Sequence, residues 1–297
     1  MAESSSGGTP NDSPACRRPA LKKITGPEQL KETERLHANT NDLHLIMNEL
    51  KDSQNTKEES TSLSNQYSAP DGLIDTQAGR KYWENAEAST DGMLGGIPTF
   101  QAYSHISRTD ILGSRSFLAK LNIGVKSGRS TVKSAVDAGA GIGRITKDLL
   151  LSIAERVDVV EPIARFTEPL KGTKGVRNIF NVGLEDWQPI EGTKYDLIWT
   201  QWCLGHLTDE QVVKYLEVCK SHLTAGTGWI IVKENLSTGL DDMFDATDSS
   251  ITRLDEKFRA LFAQANLRLV RTDLQRVSPL QSSRRLLPVR MYALKPR

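Results

Sequence analysis

The chain has 297 residues, with 38 Lys plus Arg against 37 Asp plus Glu and a net charge of +1. That balance excludes a generally basic nucleic-acid binder and a strongly acidic solvating protein. With 38% hydrophobic residues it can bury one substantial core with additions, and its three cysteines, Cys16, Cys203 and Cys219, have neither the number nor the spacing of a disulfide framework or zinc site.

In chain order, the N-terminus MAESSSGG lacks the apolar segment of a secretory signal. No later apolar run is long enough to cross a bilayer. A soluble monomer of the cytoplasm or nucleus is expected, binding no metal, membrane or nucleic acid. Every Trp, Tyr, Phe and Val lies after residue 66, so residues 1–75 read as a largely disordered extension. Within it Arg17, Arg18, Lys22 and Lys23 read as solvated charge or as a nuclear-import signal. Over 27–51, Leu43, Ile46, Met47 and Leu50 have the i, i+3, i+4, i+7 spacing of an amphipathic helix. A polar linker over 52–68 follows, and 76–297 is the expected catalytic domain.

From residue 131 onward, β-like runs at 132–137, 156–161, 176–182, 196–200, 229–233, 267–274 and 289–294 alternate with helical segments. One helix is explicit: Thr208 and Gln211 form a capping box, Val212, Leu216, Cys219 and Leu223 its buried stripe, and Gly226 its stop. A second helical stretch is expected over 249–264. This alternation predicts an α/β, Rossmann-like fold with a doubly wound, mostly parallel seven-stranded sheet. Its last two strands, with no helix between them, form an antiparallel hairpin at one edge.

The first strand leads into DAGAGIGRITKDLL, a turn with Gly139, Gly141 and Gly143. Glycines let a tight turn bring backbone close to a ligand. A dinucleotide fingerprint wants Gly at the position after Gly143, yet this chain has Arg144. A planar guanidinium suits a carboxylate, which favours the methionine end of S-adenosylmethionine over a pyrophosphate. Glu161 ends the next strand eighteen positions after Gly143, where such folds place an acid on ribose hydroxyls. The loop GLEDW at 183–187 is placed to flank the adenine.

Further segments are similar to the eukaryotic protein α-N-terminal methyltransferases: YW at 82–83, DGMLGG at 91–96, HIS at 105–107, WTQWCLGHLTDEQ, VKEN at 232–235 and DATDSS at 245–250. Together with the glycine turn they span residues 80–297 in order. The resemblance implies a class I, S-adenosylmethionine-dependent enzyme that methylates the free α-amine of proteins beginning X-Pro-Lys or X-Pro-Arg. It implies cofactor contacts at Gly139, Arg144, Glu161, Leu184, Glu185 and Gln201. It implies a peptide channel at Trp83, Leu94, Ile106, Trp202, Asp245 and Ser250, with Asn235, Asp248 and His206 as the catalytic set. The family often has Asp and Gln where this chain has Glu161 and Glu185, and the stretch at 97–104 is longer than the family pattern.

The chemistry needs a neutral amine aligned with the methyl donor. An α-amine needs only about 1 kcal/mol to lose its proton near neutral pH, against about 4 to 5 for lysine. Nearby acids Asp241, Asp242, Asp245 and Asp248 raise an amine's pKa, which makes a base useful. Asp248 reads equally as that base and as the N-cap of the 249–264 helix. His206 also reads as a loop histidine, and Trp83 and Trp202 as core residues. Two rival functions stay open: a small-molecule or side-chain N-methyltransferase, and a non-catalytic cofactor-binding module using the 27–51 helix.

Overall fold

Alternating apolar strands and amphipathic helices build the expected sheet in the computed structural model, which describes residues 69–97, 105–275 and 286–297. All of them fall within one unit, Gln66–Arg297. The helix expected over 27–51, the basic cluster, the 52–68 linker and Cys16 lie outside the described residues. The strands are β1 (Val132–Ala138), β2 (Ala154–Val160), β3 (Val176–Phe180), β4 (Leu197–Gln201), β5 (Trp229–Asn235), β6 (Met243–Asp245), β7 (Ser250–Thr252), β8 (Leu267–Leu274) and β9 (Val289–Pro296). The main sheet runs β3-β2-β1-β4-β5-β9-β8, and β6-β7 forms a separate hairpin. The first five strands of that order pair in parallel, whereas β9 runs antiparallel to both β5 and β8. The edge hairpin is therefore present, and its second strand lies inside its first.

The helices are α1 (Thr76–Asn85), α2 (Thr90–Met93), α3 (Ile106–Ala119), α4 (Arg144–Asp148), α5 (Ala164–Thr167), α6 (Asp209–Ser221) and α7 (Asp255–Gln264). Because side chains alternate along each strand, neighbouring residues enter opposite layers. Ile198, Ile230 and Tyr292 pack with Leu216 of α6 and Phe258 of α7. Trp199, Ile231 and Ala293 pack with Phe117 of α3 and Ile145 of α4 on the other face. Helices on both faces make the sheet doubly wound.

Four expectations need correction. Residues 249–264 are not one helix. Ser250–Thr252 is β7 and the helix begins at Asp255 after Leu254, so Asp248 lies in the hairpin turn and caps nothing. α6 has both bonds of the Thr208–Gln211 box but ends at Ser221, and Gly226, at φ +76°, belongs to the turn beyond. β3 stops at Phe180 rather than at residue 182. The boundary at 75/76 falls inside the domain, because Asp71 accepts from the Asp209 N–H (3.0 Å) and the Asp75 N–H donates to Ser249 Oγ (2.7 Å).

Candidate active site

A cleft enclosing about 1100 Å³ of empty space, part of it open to solvent, lies at the carboxyl ends of β1, β2 and β4. Strand order reverses between β1 and β4, and open α/β sheets bind ligands at such a switch point. Gly139, Arg144, Glu161, Leu184, Glu185 and Gln201 all line this cleft.

The glycine turn is locally determined. Gly139 has φ +77°, and a Cβ there would sit 2.5 Å from Cys203 Sγ, so only glycine fits. Glu161 closes the turn from β2, accepting from the Gly141 N–H (2.8 Å) and the Ile163 N–H (2.9 Å). Burial pushes its carboxyl up even so. Asp137, accepting from Thr146 Oγ1 at 2.6 Å, is raised to about 6 by the same cause.

Beneath the turn sits a buried charge cluster. Arg144 Nη1 donates to Asp110 Oδ2 (2.7 Å), and Gln201 Nε2 reaches both Asp110 oxygens (3.1 Å each). Lys233 bonds Asp110 Oδ1 and Ser114 Oγ. Arg144 is therefore already committed to Asp110 through one nitrogen. Glu185 is likewise paired, to Arg80 Nη2 at 2.6 Å.

At the other end of the cleft α1 presents Thr76, Gly79, Arg80 and Trp83 along one side. Trp202 follows β4 in a left-handed conformation, φ +55°. Neither Trp83 nor Trp202 is fully buried, and both face the cleft, as His206 does. Trp83 Nε1 donates to His206 Nε2 (3.0 Å), which puts the imidazole proton on Nδ1. No hydrogen bond of ordinary geometry reaches Nδ1, although the Ser249 backbone lies near it. Burial lowers the His206 pKa, opposed by the Asp248 charge, so the ring is neutral at pH 7.

The β6–β7 hairpin packs against this end. A Cβ on Gly79 would lie 3.1 Å from the Asp248 carbonyl, and one on Gly205 would lie 2.9 Å from the Ile251 carbonyl. Ser250 Oγ donates to Asp248 Oδ1 (2.6 Å), and Asp245 pairs across the hairpin with Ser250. Asp245 is exposed, Asn235 ends β5, Leu94 is buried and Ile106 opens α3. Asn235, Asp245, Asp248, Ser250, Leu94 and Ile106 do not line the cleft itself.

Several contributors were missed in the sequence. Arg80 was detectable from the helical spacing of positions 76, 79, 80 and 83, and Asp137 as an acid closing an apolar strand. Asp110 gave no signal, because its partners lie 34 to 123 positions away. The donor set suits a nucleoside carrying a zwitterionic amino acid: acids at two strand ends, a guanidinium below, and an apolar wall including Leu184 and Phe166.

Residues 73–295 match the family model described as AdoMet dependent proline di-methyltransferase. The chain is 44% identical over 217 residues to an alpha N-terminal protein methyltransferase 1 of Schizosaccharomyces pombe, covering 72% of this chain and 93% of that one. It is 41% identical over 205 residues to the N-terminal Xaa-Pro-Lys N-methyltransferase 1 of Xenopus tropicalis, covering 67% and 88%. Among solved structures, a SAM-dependent methyltransferase of Leishmania major superimposes with a TM-score of 0.63 at 34% identity, over 75% of this chain and 86% of that one.

Proposed function

We propose that this chain, which belongs to the AdoMet-dependent proline di-methyltransferase family, methylates the free α-amine of proteins whose exposed N-terminus reads X-Pro-Lys or X-Pro-Arg. The observation that carries the substrate reading is the meeting of Trp83, Trp202 and His206 at one end of the cleft, with the acidic β6–β7 hairpin packed beside them. The name of the Xenopus relative specifies an N-terminal Xaa-Pro-Lys substrate.

S-adenosylmethionine supplies an electrophilic methyl group when bound. Gly139, Arg144, Glu161, Leu184, Glu185 and Gln201 would hold it, Glu161 serving its ribose hydroxyls and Arg144 its carboxylate. Trp83 and Trp202 form aromatic walls suited to a rigid proline and a cationic amine. The family resemblance assigns Leu94, Ile106 and Asn235 to the channel behind the cleft lining, and Asp245 with Ser250, on the β6–β7 hairpin, to the basic third residue. Because His206 Nε2 is occupied by the Trp83 indole N–H, we assign the amine proton to Asp248, whose charge acts on His206 at the cleft wall and which, lying outside the lining itself, takes the proton through water. His206 then fixes the aromatic wall. The enzyme works as a monomer in the cytoplasm or nucleus.

Mass spectrometry of peptide panels tests this reading. An X-Pro-Lys peptide should be methylated better than X-Pro-Gln, since the latter offers the acids of the hairpin no cation to pair with. Acetylating its α-amine should stop the reaction with the lysine side chain still free. Methylation of the blocked peptide would point to a side-chain enzyme instead. Asp248→Asn should lower kcat and change the pH–rate profile. An unchanged profile would return the proton to His206 or water.

A further inference from the structure

Asp110, Lys233 and Arg144 are all buried, with relative exposures of 0%, 0% and 8%. Two cations share the Asp110 carboxylate, so these three residues carry one positive charge in excess, and Asp137, raised to about 6 by burial, is the further acid that acts on Arg144. Asp110 has no capacity to spare: Oδ1 takes Lys233 and Gln201, and Oδ2 takes Arg144 and Gln201. Both cations also lie against the Trp202 ring, Arg144 at 5.4 Å and Lys233 at 6.0 Å from its centroid. Of the three charged residues, only Arg144 lines the cleft.

An unpaired buried cation is unfavourable unless an anion arrives to balance it. Without Lys233, Asp110 would neutralise Arg144, and the cleft would offer a carboxylate nothing in net charge. We infer that Lys233 is a positioning residue for the cofactor: by neutralising Asp110 from behind, it leaves the Arg144 charge free to receive the carboxylate of the cofactor's amino acid. Lys233 does this without touching the ligand. The inference rests on the cofactor reading of the cleft given above. It has a second consequence, since burial holds Lys233 down to about 8. The charged groups facing it are Asp110 on α3 and Arg144 on α4, and a bound carboxylate favours its protonated form.

The test titrates the full chain by calorimetry with S-adenosylhomocysteine and with its decarboxylated analogue, which keeps the amine. At pH 7 the wild type should prefer S-adenosylhomocysteine. Lys233→Met should weaken that ligand by about tenfold or more and the analogue by no more than about twofold, so that the preference collapses. A purely structural lysine would weaken both ligands alike, and that result, or an undiminished preference, overturns the inference. Should Lys233→Met show no cooperative melting, the wild type decides the matter. Its preference should shrink between pH 7 and pH 9 as free Lys233 loses its proton, and a constant preference overturns the inference. Failure of the wild type to bind either ligand overturns the cofactor reading together with it.

Discussion

The two ends of the cleft are built differently. At the cofactor end the turn, its acid and its guanidinium come from β1, α4 and the end of β2, and Gly141 bonds Glu161 only 20 positions away. At the substrate end, Trp83 meets His206 across 123 positions and Asp75 meets Ser249 across 174. The turn and its acid are a local device carried by a strand–turn–helix unit, and only the charge cluster beneath them, from Asp110 to Lys233, is long-range. The substrate end exists only once distant segments have docked, so its side chains hold one another before any substrate arrives. A change at the cofactor end should therefore act on binding outright, while a change at the substrate end should be graded and selective.

Gly139→Arg gives the sharpest contrast. The position needs φ +77° and already has Cys203 Sγ 2.5 Å from where a Cβ would stand. Strain and bulk therefore coincide at the cofactor turn. S-adenosylhomocysteine affinity should fall by more than about 100-fold, beyond what loss of one good contact explains. The fold should survive, because the turn lies at the rim of the sheet. Calorimetry with a melting curve checks both parts, and near-normal affinity would mean that the ligand does not approach this turn.

The same division explains what could be read in advance. The sheet, the glycine turn and α6 follow from patterns contained within one or two elements, such as the Thr208–Gln211 box that both bonds complete. The hairpin was not legible. DATDSSIT has the helix-compatible polarity of an N-terminal cap, yet Ser249 adopts φ +54° and its Oγ accepts from the distant Asp75 N–H instead of from the N–H groups of a following helix. That long-range bond outweighs the local preference. Lys233 reads as an ordinary strand charge in VKEN until α3 places Asp110 over it. Of the residues that the resemblance to the N-terminal methyltransferases names for the channel, Trp83 and Trp202 line the cleft, and spacing alone leaves both anonymous.

Trp83→Phe tests the graded end. It keeps an aromatic wall but removes the indole N–H that His206 Nε2 accepts at 3.0 Å. A hydrogen bond of this kind contributes roughly 1 kcal/mol, so the peptide KM should rise about five- to tenfold. The cofactor affinity should move by less than about threefold. Kinetics on an X-Pro-Lys peptide beside calorimetry on S-adenosylhomocysteine separates the two. Equal losses in both would show that the cleft is one coupled site rather than two.

The smallest effect on binding belongs to the segment joining the two ends, the loop from Trp202 to Thr208. Glu234 holds it from one side, accepting from the Cys203 N–H (2.9 Å) and the Leu204 N–H (3.0 Å). Arg253 holds it from the other, donating to the Leu204 carbonyl (2.7 Å) and the Leu207 carbonyl (2.5 Å). Burial raises the Glu234 carboxyl from 4.5 to about 7. The folded protein therefore keeps a proton that the unfolded chain has lost between those values, and raising the pH through that window removes stability. Glu234→Gln retains an oxygen that accepts both N–H bonds but never ionises. It should melt with the wild type at pH 5 and above it at pH 8, by up to about 2 kcal/mol or a few degrees. Asp137, also raised, is present in both proteins and cancels in the difference. Cofactor and peptide affinities should stay within about twofold, because the loop geometry is kept. If instead the variant is the less stable one at pH 8, the ionised carboxylate is needed opposite Arg253, and the loop is held by a charge pair rather than by two neutral-compatible hydrogen bonds.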